Sequence, residues 1–317
     1  MLVRIPLCAM LAAVALVPAA PSRSQTPAGK APGAAPVAVP AAEKDLRVQV
    51  LLDRSGFSVG EIDGNAGSNT SRAMAAYEKQ RVGGAAVAQA GLRALTADTA
   101  PTLVDYTITA EDVKGPFVKV PQDMMAKAKL ATLGYASMAE KLGERFHASP
   151  ALIKRLNPGK RLDRAGETIR VPNVRTAIAA KAAKVVVDQS DGSVSALDAQ
   201  GSILARYPAT MGSEHDPLPL GTWKVTGVTH DPPFNYNPDL FWDAKAAHSK
   251  AKIPAGPNNP VGVVWIDLSK EHYGIHGTPE PAQIGKTESH GCIRLTNWDA
   301  AELAKMVSPG VVAVLQD

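Results

Sequence analysis

Cysteine is nearly absent: the 317 residues hold two, Cys8 and Cys292, so no framework of disulfides can hold this chain together. Aromatic residues make up 5% and are not interleaved with any dense Lys/Arg cluster, which argues against a nucleic-acid surface built on charge and stacking. The apolar stretch from Ile5 to Val17 is too short for a membrane-spanning helix. A formal net charge of +4 leaves no more than a weak attraction to an anionic polymer. What is present is an ordinary globular composition, 45% hydrophobic and 20% charged, in a chain long enough for two or three domains.

Residues 1–20 read as a secretory signal: one charge at Arg4, a short apolar stretch, then small residues at Pro18-Ala19-Ala20. Cys8 lies too early for lipid attachment, and the Leu7 before it is too bulky. Cleavage would leave Cys292 as the one thiol, exported to an oxidising compartment (a periplasm or cell envelope) where an idle thiol is a liability. Residues 21–43 are mostly Pro, Ala, Gly and Ser and read as a flexible linker.

Residues 44–99 read as a small helical unit. Val48, Leu51 and Leu52 share one helix face, Ala73, Met74 and Tyr77 another, with Asp63-Gly64 and Gly67-Ser68-Asn69-Thr70 forming the loop and cap between them. The pattern D-G-x-x-G-x-x-T-x-x-A resembles the helical peptidoglycan-binding domain. In residues 100–175, Leu103 to Val120 reads as short strands, and Ser137-Met138-Ala139-Glu140 as a capping box. Ser149-Pro150 opens a second helix that Asn157-Pro158-Gly159 stops, before a closing strand from Gly166 to Pro172. That order resembles a divergent LysM module without a clear first strand; the resemblance implies a small α+β unit and contact with glycan strands, with a structural spacer as the other reading.

From Lys184 the texture is β. Val185–Val187 and Val194–Leu197 flank the turn signal Asp191-Gly192. Ile203–Tyr207, Trp223–Val228 and Val261–Asp267 follow, then a helix over about 297–307 and a strand over 311–315, which predicts a closed or sandwiched sheet.

The chemistry concentrates in His276-Gly277-Thr278-Pro279 and Ser289-His290-Gly291-Cys292-Ile293-Arg294-Leu295. An imidazole beside Cys292 can take its proton and leave a thiolate–imidazolium pair; His276 and His290 are both candidates. Gly277 and Gly291 permit close backbone approach, and N–H groups around Cys292 can face an oxyanion. Three zinc ligands in His276, His290 and Cys292, or a structural thiol, are the rival readings; the histidine preceding the cysteine argues against papain-like and NlpC-type peptidases. No other histidine is expected to be catalytic. Phe234–Asn237 and Phe241-Trp242 suggest a loop over a cleft.

The segment H-G-T-x(10)-S-H-G-C-I-R-L, with Pro219–Trp223 and Ile253–Gly262, resembles the YkuD-type L,D-transpeptidase catalytic domain from about Lys184 to Gln316, within a domain read as residues 176–317. The resemblance implies a mainly-β catalytic sandwich or barrel, Cys292 as nucleophile and His276 as its base. It also implies that the Gly277 carbonyl orients the imidazole and that Ser289, His290 and Gly291 shape the oxyanion site. Arg294 would receive a stem-peptide carboxylate. The substrate implied is a peptidoglycan tetrapeptide stem, with 3→3 cross-links as product and no metal or organic cofactor. Trimming by water, attachment of an envelope protein, or an inactive wall-binding protein are the alternatives.

Overall fold

In the computed structural model, residues 41–82, 87–176 and 178–317 are described; the signal and most of the linker lie outside them. Helix α1 (Ala41–Arg54) begins inside the stretch read as linker, because alanine is the best helix former and Glu43 suits a first turn. Helices α2 (Ser68–Val82) and α3 (Val87–Thr96) follow. Gln49, buried on α1, ties the intervening loop: its Nε2 donates to Asp63 Oδ1 and Asn65 O at 2.9 Å, and its Oε1 accepts from Gly64 N at 2.8 Å.

Strand β1 (Leu103–Thr107) pairs antiparallel with β2 (Thr168–Pro172). It supplies a first strand where the sequence showed none clearly. The rest of the 103–120 stretch is not strand, since Thr109 N–H donates to Asp112 Oδ2 and Asp112 N–H to Thr109 Oγ1, closing a local turn. Between the strands lie the short α4 (Met124–Lys127), α5 (Met138–Arg145) and α6 (Pro150–Leu156). Ser137 and Ser149 cap α5 and α6 as their sequences require. Asn157 stops α6 by pairing its amide with Arg170 of β2 in both directions, at 2.7 and 2.8 Å. Leu51, Leu52 and Ile62 pack with Leu142, Leu152, Ile153, Ile169 and Val171, so the helical unit and the β1/β2 unit share one apolar core.

The remaining strands are β3 (Lys184–Asp188), β4 (Ser193–Leu197), β5 (Ile203–Pro208), β6 (Gly221–His230), β7 (Phe234–Tyr236), β8 (Ala251–Ile253), β9 (Val264–Leu268), β10 (Gly274–His276), β11 (Ile293–Arg294) and β12 (Val312–Gln316), with helix α7 (Asn297–Met306) before the last. Eight of them form one sheet in the order β11-β10-β9-β6-β12-β3-β4-β5. The mainly-β expectation of a closed or sandwiched sheet takes the form of a single curled sheet. Its two ends meet where Thr210, past β5, bridges Arg294 of β11, with N···O distances of 3.0 and 2.8 Å. Strand β9 starts at Val264 rather than Val261 because Asn259–Gly262 form a turn.

The helical unit covers the free edge of β5, where Ser58 N–H donates to Arg206 O and Arg206 N–H to Gly56 O, both at 2.8 Å. Behind this contact lies a buried ionic network. Asp53 bonds His147 Nδ1 at 2.8 Å, Arg175 pairs with Asp53 and Glu302, and Tyr207 donates to Glu302 Oε2 at 2.9 Å. Removing one member leaves a charge stranded out of water. Glu302→Ala is therefore expected to lower stability by about 3–5 kcal/mol, measured by urea denaturation, with Glu302→Gln losing less because its amide still bonds Tyr207.

Candidate active site

Strands β10 and β11 run parallel, with Ile275 opposite Ile293 and His276 opposite Arg294. The two isoleucines are fully buried in the sheet's core. Strand alternation then puts His276, Arg294 and Cys292, which stands one residue before β11, on the opposite face. Cys292 and His276 are diagonal neighbours there. No hydrogen bond joins them among the described residues: the Cys292 Sγ donates to His272 O at 3.7 Å and receives the Gly274 N–H. His272, with φ of +66°, turns its carbonyl toward the thiol from a tight loop.

His276 is 4% exposed and stacks on Trp265, ring centroids 5.3 Å apart. Its Nδ1 lies 2.7 Å from Gly277 O. A carbonyl can only accept, so Nδ1 carries the hydrogen and Nε2 of the neutral ring keeps its lone pair. Burial, then the nearby Arg294 charge, pushes the imidazole pKa down to about 3. Burial also pushes the Cys292 thiol up, against the pull of the Gly274 N–H and Arg294. The sequence suggested an ion pair; desolvation of both groups makes the resting pair neutral instead.

Ser289 is buried and fixes the turn before the thiol: its Oγ donates to Cys292 O at 2.7 Å and its N–H to Gly212 O at 3.0 Å. Gly291 has φ of +91°, and a Cβ there would come within 2.9 Å of the Tyr273 ring, so no other residue fits. Gly277 is needed for a different reason: Asn297, at the start of α7, presses against it. His290 points elsewhere. Its Nε2 bonds Asp243 Oδ1 at 3.0 Å, and its ring packs on Phe241 and Trp242, which in turn stacks on His215. The structure thus sets Cys292, His276 and Arg294 on one face and gives His290 to the 231–253 loop.

That loop is the one suggested by Phe234–Trp242. Its strands β7 and β8 form a two-stranded ribbon, and Tyr236 and Ile253 pack against Leu133. Asp123, the cap of α4, accepts from Lys245 Nζ and His248 Nε2 at 3.1 Å, while His248 Nδ1 meets Tyr236 Oη at 2.8 Å. Among the described residues no three His, Cys, Asp or Glu side chains converge as metal ligands. The guanidinium of Arg294 has neither a hydrogen bond nor an ion pair among the described residues, although it is largely shielded from water. Sequence reading missed Trp265, Tyr273 and Asp216 beside the site; only the aromatic character of the first two offered any signal.

The model of the YkuD family, described as the L,D-transpeptidase catalytic domain, matches residues 182–315. These residues are a YkuD-type L,D-transpeptidase domain. The "Putative L,D-transpeptidase YkuD" of Bacillus subtilis (strain 168) is 57% identical to this chain over 54 residues, 17% of this chain and 33% of that protein. YqjB of the same organism is 29% identical over 117 residues, 35% of this chain and 58% of that protein. The chain spans about a third of the length of the first curated relatives it matches. Among solved structures, L,D-transpeptidase 3 from Mycobacterium tuberculosis in complex with a faropenem-derived adduct aligns at 16% identity and a TM-score of 0.35, over 48% of this chain and 75% of that one. Among the described residues no helix is long and apolar enough to cross a membrane.

With the thiol raised and the imidazole neutral, alkylation of Cys292 by iodoacetamide should quicken with a midpoint above the ordinary thiol value of about 8.5. Arg294→Ala removes a cation that favours the thiolate and should move that midpoint further up, read as alkylation rate against pH by intact-mass spectrometry.

Proposed function

We propose that this protein is an exported peptidoglycan L,D-transpeptidase working through a Cys292 acyl-enzyme. The observation that carries the reading is the combination on one sheet face of a partly open thiol, an imidazole whose Nε2 is free to accept a proton, and an unpaired guanidinium. Catalytic hydrogen bonds are often long before substrate arrives, so a Cys292–His276 bond that forms only in the complex fits this arrangement.

Because the resting pair is neutral, the thiol proton passes to His276 Nε2 as sulfur attacks, rather than beforehand. The attacked carbonyl belongs to the third residue of a tetrapeptide stem, a diamino acid, and Arg294 holds a carboxylate of that stem. Backbone N–H groups around Gly291 and Cys292, set by the Ser289 turn, face the oxyanion. The imidazolium then protonates the leaving amine, the C–N bond breaks and D-alanine departs. A side-chain amine of a second stem displaces the sulfur and completes a 3→3 cross-link. The N-terminal units are proposed to hold the wall, the first through stem or glycan contacts and the β1/β2 unit through glycan.

Incubation with purified sacculi should yield cross-linked muropeptide dimers. Trimmed tripeptides alone would mean a carboxypeptidase, and wall-attached protein a different acceptor. A carbapenem should add its mass to the wild type and not to Cys292→Ala; no adduct on the wild type would remove the nucleophile assignment. His276→Ala should slow acylation by about 10²–10⁴-fold, measured as D-alanine release.

A further inference from the structure

Residues 277–292 cross over from β10 to the parallel β11, with Ser289, Gly291 and Cys292 at the end of the crossover. A connection this long opens and shifts readily unless something ties it. Its middle is tied on two sides, just past the short turn Pro281–Gln283. From the catalytic sheet, Thr210 Oγ1 accepts the Gly285 N–H at 2.9 Å. From the helical unit, Asn69 Nδ2, in the first turn of α2, donates to Ile284 O at 2.9 Å. Ile284 is buried, and the Asn69 amide lies so close on the turn that a Cβ at Gly285 would come within 2.5 Å of its Oδ1. A carbonyl can only accept, so the amide has to present its nitrogen to Ile284.

Asn69 lies inside the D-G-x-x-G-x-x-T-x-x-A pattern of the helical unit. The fold turns much of that pattern inward. Gln49 Nε2 holds Asp63, Asn65 and Thr70, Arg155 donates to Asp63 O at 2.7 Å, and Asn69 reaches the catalytic domain. The helical unit is a firm base for this reach, since its Gly56 and Ser58 bond the edge of β5 at 2.8 Å. Strand β5 leads directly to Thr210, which exchanges two backbone bonds with Arg294, two residues after Cys292. Farther along the same crossover, Ser289 N–H donates to Gly212 O at 3.0 Å. The ties form a closed circuit through α2, Ile284-Gly285, Thr210 and β11. We propose that Asn69 is a positioning residue for the reaction: acting through Ile284-Gly285 and Thr210, it holds the crossover so that Cys292 keeps its place against His276. Resting on the transpeptidase reading, this gives the helical unit a part in the chemistry besides contact with the wall. A misplaced nucleophile costs rate rather than affinity, so the loss belongs in the maximum rate.

The test uses the full chain, a carbapenem and iodoacetamide. Acylation of Cys292 by the carbapenem, followed by intact mass against concentration, separates the maximum rate from the half-saturating concentration. Alkylation of the same thiol needs no aligned imidazole or oxyanion site, so it reports exposure and ionisation alone. Asn69→Ala removes the amide, and Asn69→Asp sets a carboxylate against Ile284 O. Both should lower the maximum acylation rate by about three- to tenfold, with the half-saturating concentration, alkylation rate and far-UV circular dichroism of the wild type. Thr210→Val, which removes the hydroxyl that takes the Gly285 N–H, should lower the same rate. Combined with Asn69→Ala it should cost less than the product of the two losses, because both cut one path. Unchanged maximum rates in both Asn69 variants, acylation and alkylation falling together, an unaffected Thr210→Val, or fully multiplicative losses would each overturn the positioning role. In all of these a wild type that is acylated keeps the transpeptidase reading. A wild type that takes no carbapenem removes both.

Discussion

Strand β11 is two residues long, and it is held from both sides. On one, it runs parallel to β10, with Leu295 N–H reaching His276 O at 2.8 Å; on the other, Arg294 exchanges two backbone bonds with Thr210. Every site residue takes its place from this clamp. Because Ile275 and Ile293 fill the core together, His276, Arg294 and Cys292 are forced onto the opposite face, and a one-residue slip would turn them into the apolar core. The same bridge draws the ends of the curled sheet together, so one contact joins the sheet's curvature to the position of Cys292.

Charge at this site is governed by water exclusion more than by ion pairing. Trp265 and the packed strands remove solvent from His276, and a buried imidazole beside a guanidinium stays neutral. The Gly277 carbonyl then decides which nitrogen holds the hydrogen. The guanidinium of Arg294 has no hydrogen-bond or ion-pair partner among the described residues, an arrangement that costs stability. Elsewhere the chain treats charge differently: Asp53, His147, Arg175 and Glu302 satisfy one another between the helical unit and α7.

The sequence made the long elements legible because they carry periodic or capping signals. The β3–β4 hairpin around Asp191-Gly192 and the Ser137 and Ser149 caps stand where residue chemistry puts them. The neighbourhood of Cys292 and His276 was readable from the two glycine-flanked segments. Strands β7, β8, β10 and β11 were not, since two or three residues show no alternation to read. Nor was the pairing of β10 with β11, because a parallel contact across a crossover leaves no local mark. Asp216 and Tyr273 reach the site through loops, and nothing in an isolated Asp-Pro or Tyr-Gly pair announces it. The separation of His290 from the thiol depends on Asp243 and Trp242, which only the folded loop brings near.

The grip of Asp123 on Lys245 and His248 spans the boundary near residue 176 at which the sequence suggests a division. Leu133 closes the same ribbon from below, against Tyr236 and Ile253. A catalytic fragment beginning near residue 176 would therefore lose the floor of its own loop and present a bare apolar shelf to solvent. The upstream region is scaffolding for the 231–253 loop as well as cargo on the same polypeptide, and shortening the chain from its N-terminal side reaches the residues that hold His290.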